Sequence, residues 1–131
     1  MIVPNAELAG VHLLMSVAGV EHVLGTPKSI RSIPDQIQST VRRMDYGKTK
    51  VYLSATADGT VFSVTTTDRR QKTSGGVGVG SSRASVARTV SGARCTARAC
   101  VVGQERAGQR VTRFSLSEGR VARVTLGFVI D

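Results

Sequence analysis

The sequence predicts an α+β fold in which a helix followed by an antiparallel β-sheet is built twice in tandem. Two repeated blocks carry this expectation. Ala9–Gly25 lies over Gly75–Ser91 at a constant offset of 66, so that Gly10, Val11, Ser16, Ala18 and Val20 meet Gly76, Val77, Ser82, Ala84 and Val86. At an offset of 60, Asp58-Gly59 and the strand after it lie over Glu118-Gly119 and its strand, with Val61, Val64 and Thr65 meeting Val121, Val124 and Thr125. A third observation bounds the size: 131 residues, 40% hydrophobic and 21% charged, make one globular domain with its own core. The expected boundaries are a first unit over 1–67, a linker over 68–74 and a second unit over 75–131, sharing one compact domain.

The first helix should start at Ser16, whose hydroxyl can accept from an otherwise unpaired N–H of the first turn. Val20 and Leu24 then form an apolar stripe with Val17 and Val23 beside it, and Gly25 ends the helix. After Pro34, the spacing of Ile33, Ile37, Val41 and Met44 predicts a second helical stretch, with a short strand around Thr40–Tyr46 as the competing reading. Lys50–Thr56 and Thr60–Thr66, rich in β-branched residues around Asp58-Gly59, predict a hairpin. Polar, basic Asp68–Ser74 reads as the linker.

In the second unit Ser81 or Ser82 caps a helix over Arg83–Val90. Cys95 and Cys100 enclose Thr96–Ala99, and a disulfide at the tip of a short hairpin leading into Val101 and Val102 is preferred to free thiols or a redox pair. Arg110–Leu116 and Arg120–Leu126 flank Glu118-Gly119 as a second hairpin. A three-residue turn puts Phe114, Leu116, Ala122 and Val124 on one face and Arg113, Ser115, Val121 and Arg123 on the other, a cleaner division than a two-residue turn gives.

The run Gly10-Val11-His12-Leu13-Leu14-Met15-Ser16, the helix ending Leu24-Gly25-Thr26-Pro27 and the strands around a D-G turn resemble the repeat unit of the β-lactamase inhibitory protein fold. They are similar also to the small outer-membrane assembly lipoproteins of the BamE type. The second copy keeps the start, Gly76 onward, and lacks the Leu-Gly-x-Pro ending. The resemblance implies a secreted or periplasmic non-enzymatic protein whose sheet offers a binding face. It does not bring β-lactamase binding with it, because the aromatic-rich face of that inhibitor is not visible in this sequence.

Catalytic chemistry is thinly supplied. Gly75-Gly76-Val77-Gly78-Val79-Gly80-Ser81-Ser82 imitates a phosphate loop but has Ser81 where the essential lysine would stand, and Arg83 breaks the dinucleotide spacing. Close packing at a strand-to-helix turn is the simpler reading. His12 and His22 are the only imidazoles, no nucleophile elbow or H-E-x-x-H is present, and the carboxylates show no paired pattern. No catalytic residue, cofactor or metal ligand is assigned.

Charge is the remaining signal. The chain has 18 Lys+Arg against 9 Asp+Glu, a net +9. Residues 1–66 carry six basic and five acidic side chains (+1) and residues 67–131 twelve and four (+8), with eleven of those twelve cations arginine. Candidate binding residues are Arg113 and Arg123 on one predicted sheet face, Arg110 and Arg120 near them, and Arg69, Arg70 and Lys72 in the linker. Guanidinium groups suit carboxylates and phosphates, so the expected partner is an acidic protein or an anionic cell-envelope polymer, with nucleic acid as the rival and a small hydrolase third. No apolar run reaches the ~20 residues of a membrane span. A secreted or envelope location, with Met1 standing where an export signal was removed, is preferred to a cytoplasmic one.

Overall fold

The computed structural model describes residues 1–34, 40–54 and 59–129. It corrects the predicted fold class. The described chain is mostly β, 47% strand and 13% helix, with one large antiparallel sheet and two short helices in place of two helix-plus-sheet units. A small hairpin comes first, β1 (Ile2–Val3) with β2 (Glu7–Leu8). Helix α1 (Val17–Leu24) precedes β3 (Ser29–Pro34), β4 (Thr40–Asp45), β5 (Thr49–Ser54) and β6 (Val61–Thr66). Helix α2 (Arg83–Thr89) precedes β7 (Arg94–Cys95), β8 (Ala99–Val102), β9 (Arg110–Ser117) and β10 (Arg120–Phe128).

Strands β3 to β10 form one sheet in the order β3-β4-β5-β6-β10-β9-β8-β7, apart from the β1–β2 hairpin. Its fusion point is the antiparallel ladder from Val124↔Thr66 to Gly127↔Ser63. That ladder satisfies backbone groups that two separate sheets would leave as open edges, so the strands after each helix join one sheet. The helical reading after Pro34 also fails: Ile33 and Val41 face each other across the β3–β4 ladder, while Met44 pairs with Ile30 and points to the opposite face. Ile37 lies outside the described residues, as does Asp58 of the first predicted turn.

The capping residues behave as their chemistry requires. Ser16 Oγ accepts from Gly19 N at 3.1 Å and Ser82 Oγ from Ser85 N at 3.1 Å. Each serine also bridges to a strand, Ser16 to Thr60 and Ser82 to Arg120. Gly25 closes α1 with φ 82°, a left-handed φ that favours glycine.

One face of the sheet carries the core. Val51, Leu53, Val61, Val64, Phe114, Val124 and Leu126 point to it and are buried against Val20 of α1, Val86 of α2 and the N-terminal Ile2 and Leu8. Asn5 fastens the N-terminal hairpin there: its N–H donates to Thr112 Oγ1 at 2.6 Å and its Oδ1 accepts from the same hydroxyl at 2.8 Å. Both helices and this hairpin therefore sit on one side of the sheet. The other side is left for solvent or for a partner.

Candidate functional site

Because side chains alternate along a strand, the register specifies what the uncovered face presents. Across one row it runs Arg31, Arg43, Tyr52, Ser63, Gly127 and Val111. Across the next it runs Asp45, Lys50, Thr65, Thr125, Arg113 and Val101. In these two rows the middle strands, β6 and β10, contribute only small side chains, Ser63, Thr65, Thr125 and Gly127. Thr65 and Thr125 bond hydroxyl to hydroxyl at 3.1 Å, and Gly127 leaves the floor low. A depression of about 410 Å³ lies over this floor, lined by Ser63, Val111, Arg113, Thr125 and Gly127 with Glu105 at its edge.

Cations stand on both sides of the floor. On the β9–β10 side, Arg113 faces Thr125 and Arg123 faces Ser115, which makes the two arginines diagonal neighbours on exposed strand positions. On the β3–β5 side stand Arg31, Arg43 and Lys50. Arg31 and Arg43 are direct cross-strand partners, and like charges so placed cost stability unless something acidic joins them. Tyr52 and Phe62 lie beside them with ring centroids 6.4 Å apart at 50°.

The second hairpin is built differently from the expected three-residue turn. Ser117 pairs with Arg120, leaving a two-residue turn in which Glu118 (φ 53°) and Gly119 (φ 77°) both take positive φ, as a type I′ turn requires. A bulge then absorbs Ala122 between the Val121 and Arg123 pairs. Val121 is consequently core, 2% exposed, and Ala122 faces out, the reverse of the expected placement. Beyond the bulge the faces return to the expected division, so Arg113 and Arg123 do share the uncovered side.

The other candidate cations are not gathered there. Arg110, opposite Phe128, lays its guanidinium over that ring at 5.5 Å from the centroid. Arg120 donates from Nη1 to Gly80 O at 3.0 Å, and Arg69 lies against the same glycine. Arg70 forks onto Asp68, with Nη2 to Oδ2 at 2.9 Å. That guanidinium, helped by the Arg70 backbone N–H, lowers the Asp68 carboxyl to about 2 and raises the arginine in return. Lys72 is exposed in the connection, where it bridges to Gly78. Arg69, Arg70, Lys72 and Arg120 hold the connection between β6 and α2 together, and neither they nor Arg110 extend the face.

Arg31, Arg43, Lys50, Tyr52 and Phe62 went unrecognised in the sequence. Their signal was alternation: Lys50, Tyr52 and Ser54 are the outward positions of a strand whose inward positions are Thr49, Val51 and Leu53. Asp45 moderates the positive charge at that end. Its carboxyl is lowered chiefly by the Gly47 N–H at 2.7 Å, with Lys50, Arg43 and Lys28 acting in the same direction.

Other motifs resolve as structure. In the glycine run, a side chain at Gly78 would place its Cβ 2.3 Å from Gln71 O, so the backbone is packed too closely for any other residue. Cys95 and Cys100, directly paired across β7 and β8, form a disulfide. His12 and His22 are exposed, and among the described residues no three His, Cys, Asp or Glu side chains come together as a metal site would need. No described helix is long and apolar enough to cross a membrane. No family model, curated protein or solved structure matches the chain.

Proposed function

We propose that this chain is a non-catalytic, extracytoplasmic binding module that docks an acidic protein surface on its uncovered sheet face. The observation that carries the reading is the pairing of Arg113 and Arg123 on one side of a small-residue floor with Arg31, Arg43 and Lys50 on the other. From β5 to β9 is three strand spacings, about 14 Å, wide enough to seat a loop or helix of a partner between two cationic margins. The Tyr52–Phe62 pair favours a protein over an anionic polymer, since aromatic contact area beside arginine is typical of protein interfaces. The Cys95–Cys100 disulfide fits an extracytoplasmic location.

Retention of partners from native extracellular and cell extracts, at low and moderate salt, tests this with wild type beside Arg113→Ala/Arg123→Ala. The reading expects an acidic protein to be held by the wild type at low salt and lost by the double variant. A cell-envelope polymer or nucleic acid held in its place, or a partner retained equally by the double variant, contradicts it.

A further inference from the structure

A second depression, about 300 Å³, adjoins the first and is walled by Arg94, Arg98 and Arg113 over a floor of Ala99 and Val101. Glu105 lines both depressions. It is carried by the exposed connection between β8 and β9. Its Oε1 accepts from Arg113 Nη2, and both side chains are about half exposed, 44% for the arginine and 50% for the glutamate. Arg94 Nη2 donates to Gly103 O at the base of the same connection. Gly103, at φ 103°, and the reciprocal bonds Gly108 N–H to Val129 O and Val129 N–H to Gln109 O hold that connection against the sheet.

We infer that the Arg94–Arg98–Arg113 depression is a carboxylate subsite which the free chain fills with its own Glu105, and that an aspartate or glutamate of the partner displaces Glu105 on docking. This rests on the proposed docking of an acidic protein and names the group that the face recognises. The resident carboxylate shows what the Arg113 wall accepts, through one Oε1–Nη2 contact, and a planar acid suits a guanidinium in a way a point charge does not. One glutamate among three arginines leaves the depression positive, so it still attracts an anion while occupied. The internal pair faces solvent, and such pairs are weak enough to exchange. Glu105 thereby screens Arg113 from partners that offer no carboxylate, a repulsive element that sharpens selection.

The test is the affinity of the full chain for poly-L-glutamate, followed by fluorescence anisotropy, for wild type, Glu105→Gln, Glu118→Gln and Arg113→Ala/Arg123→Ala. Glu118 is an exposed acid at the β9–β10 turn, so its variant makes the same change in net charge away from the depression. Glu105→Gln should bind about two- to fivefold more tightly than wild type, and Glu118→Gln should gain less. If Glu105→Gln gains no more than Glu118→Gln while the double arginine variant still loses binding, the subsite is wrong and the docking face stands. If the double variant binds as wild type does, the docking face is wrong and the subsite falls with it. The same series with inorganic polyphosphate should show a smaller gain for Glu105→Gln; an equal gain overturns the carboxylate assignment.

Discussion

Position 14 shows how single residues in this chain depart from local preference. Leu14 takes φ 72° while 57% exposed, and its counterpart at the offset of 66, Gly80, takes φ 95°. A leucine in the left-handed region costs about 1–2 kcal/mol, and glycine carries about 0.5–1 kcal/mol of extra backbone entropy in the unfolded chain. Leu14→Gly should therefore stabilise the fold by about 0.5–1 kcal/mol, raising Tm by about 2–4 °C in a thermal melt. Asp68 gives a prediction with a sign. Its folded value near 2 lies below the ordinary 3.8, so its contribution is complete above about pH 4 and fades as pH falls through 2. Asp68→Asn should flatten the fall in Tm between pH 4 and pH 2; an unchanged profile in that window would rule out the Asp68–Arg70 contact as its source. Residues whose chemistry is local were legible from sequence, as Ser16 and Ser82 show by capping their helices. Asp68 was not, although its partner Arg70 lies only two residues on, because polar, basic Asp68–Ser74 reads as a linker and hides the pair.

The elements divide in the same way. The β7–β8 hairpin was legible because two cysteines with four residues between them admit few geometries. β7 is two residues long at the sheet's edge, so the disulfide is much of what holds it. Replacing both cysteines by alanine should cost about 2 kcal/mol by loop closure alone, read as a lower denaturant midpoint, without loss of the sheet signal in circular dichroism. The β9–β10 turn is suboptimal at its first position, where Asn takes positive φ more readily than Glu; Glu118→Asn should gain about 0.5 kcal/mol in the same measurement. The helical reading after Pro34 gives way to strands β3 and β4, the second of them where the competing reading put a strand around Thr40–Tyr46, because Ile33 and Val41 belong to two different strands and a spacing counted from one strand to the next imitates helical periodicity. Likewise the Ala122 bulge left no mark in the sequence: a one-residue shift that exchanges Val121 and Ala122 is decided by core packing, not by turn residues alone.

For the molecule as a whole, the sheet changes what the charge means. Counted along the chain, the basic excess belongs almost entirely to the second half, +8 against +1. Folded, the first half supplies Arg31, Arg43, Lys50, Tyr52 and Phe62 to the same uncovered face as Arg113 and Arg123. Part of the excess, at Arg69, Arg70 and Arg120, is instead spent on the connection around Gly80 and Asp68. Net charge by segment could not reveal this, since the face is assembled by the β6–β10 ladder between residues roughly sixty apart. Both halves should thus contribute to binding. The most direct measurement is the salt dependence of affinity for poly-L-glutamate by isothermal titration calorimetry, comparing wild type, Arg113→Ala/Arg123→Ala and Arg31→Ala/Arg43→Ala. Salt-sensitive wild-type binding, weakened about tenfold by either pair of substitutions, is the expected result. Binding that is indifferent to both pairs would contradict a docking face on the uncovered side of the sheet.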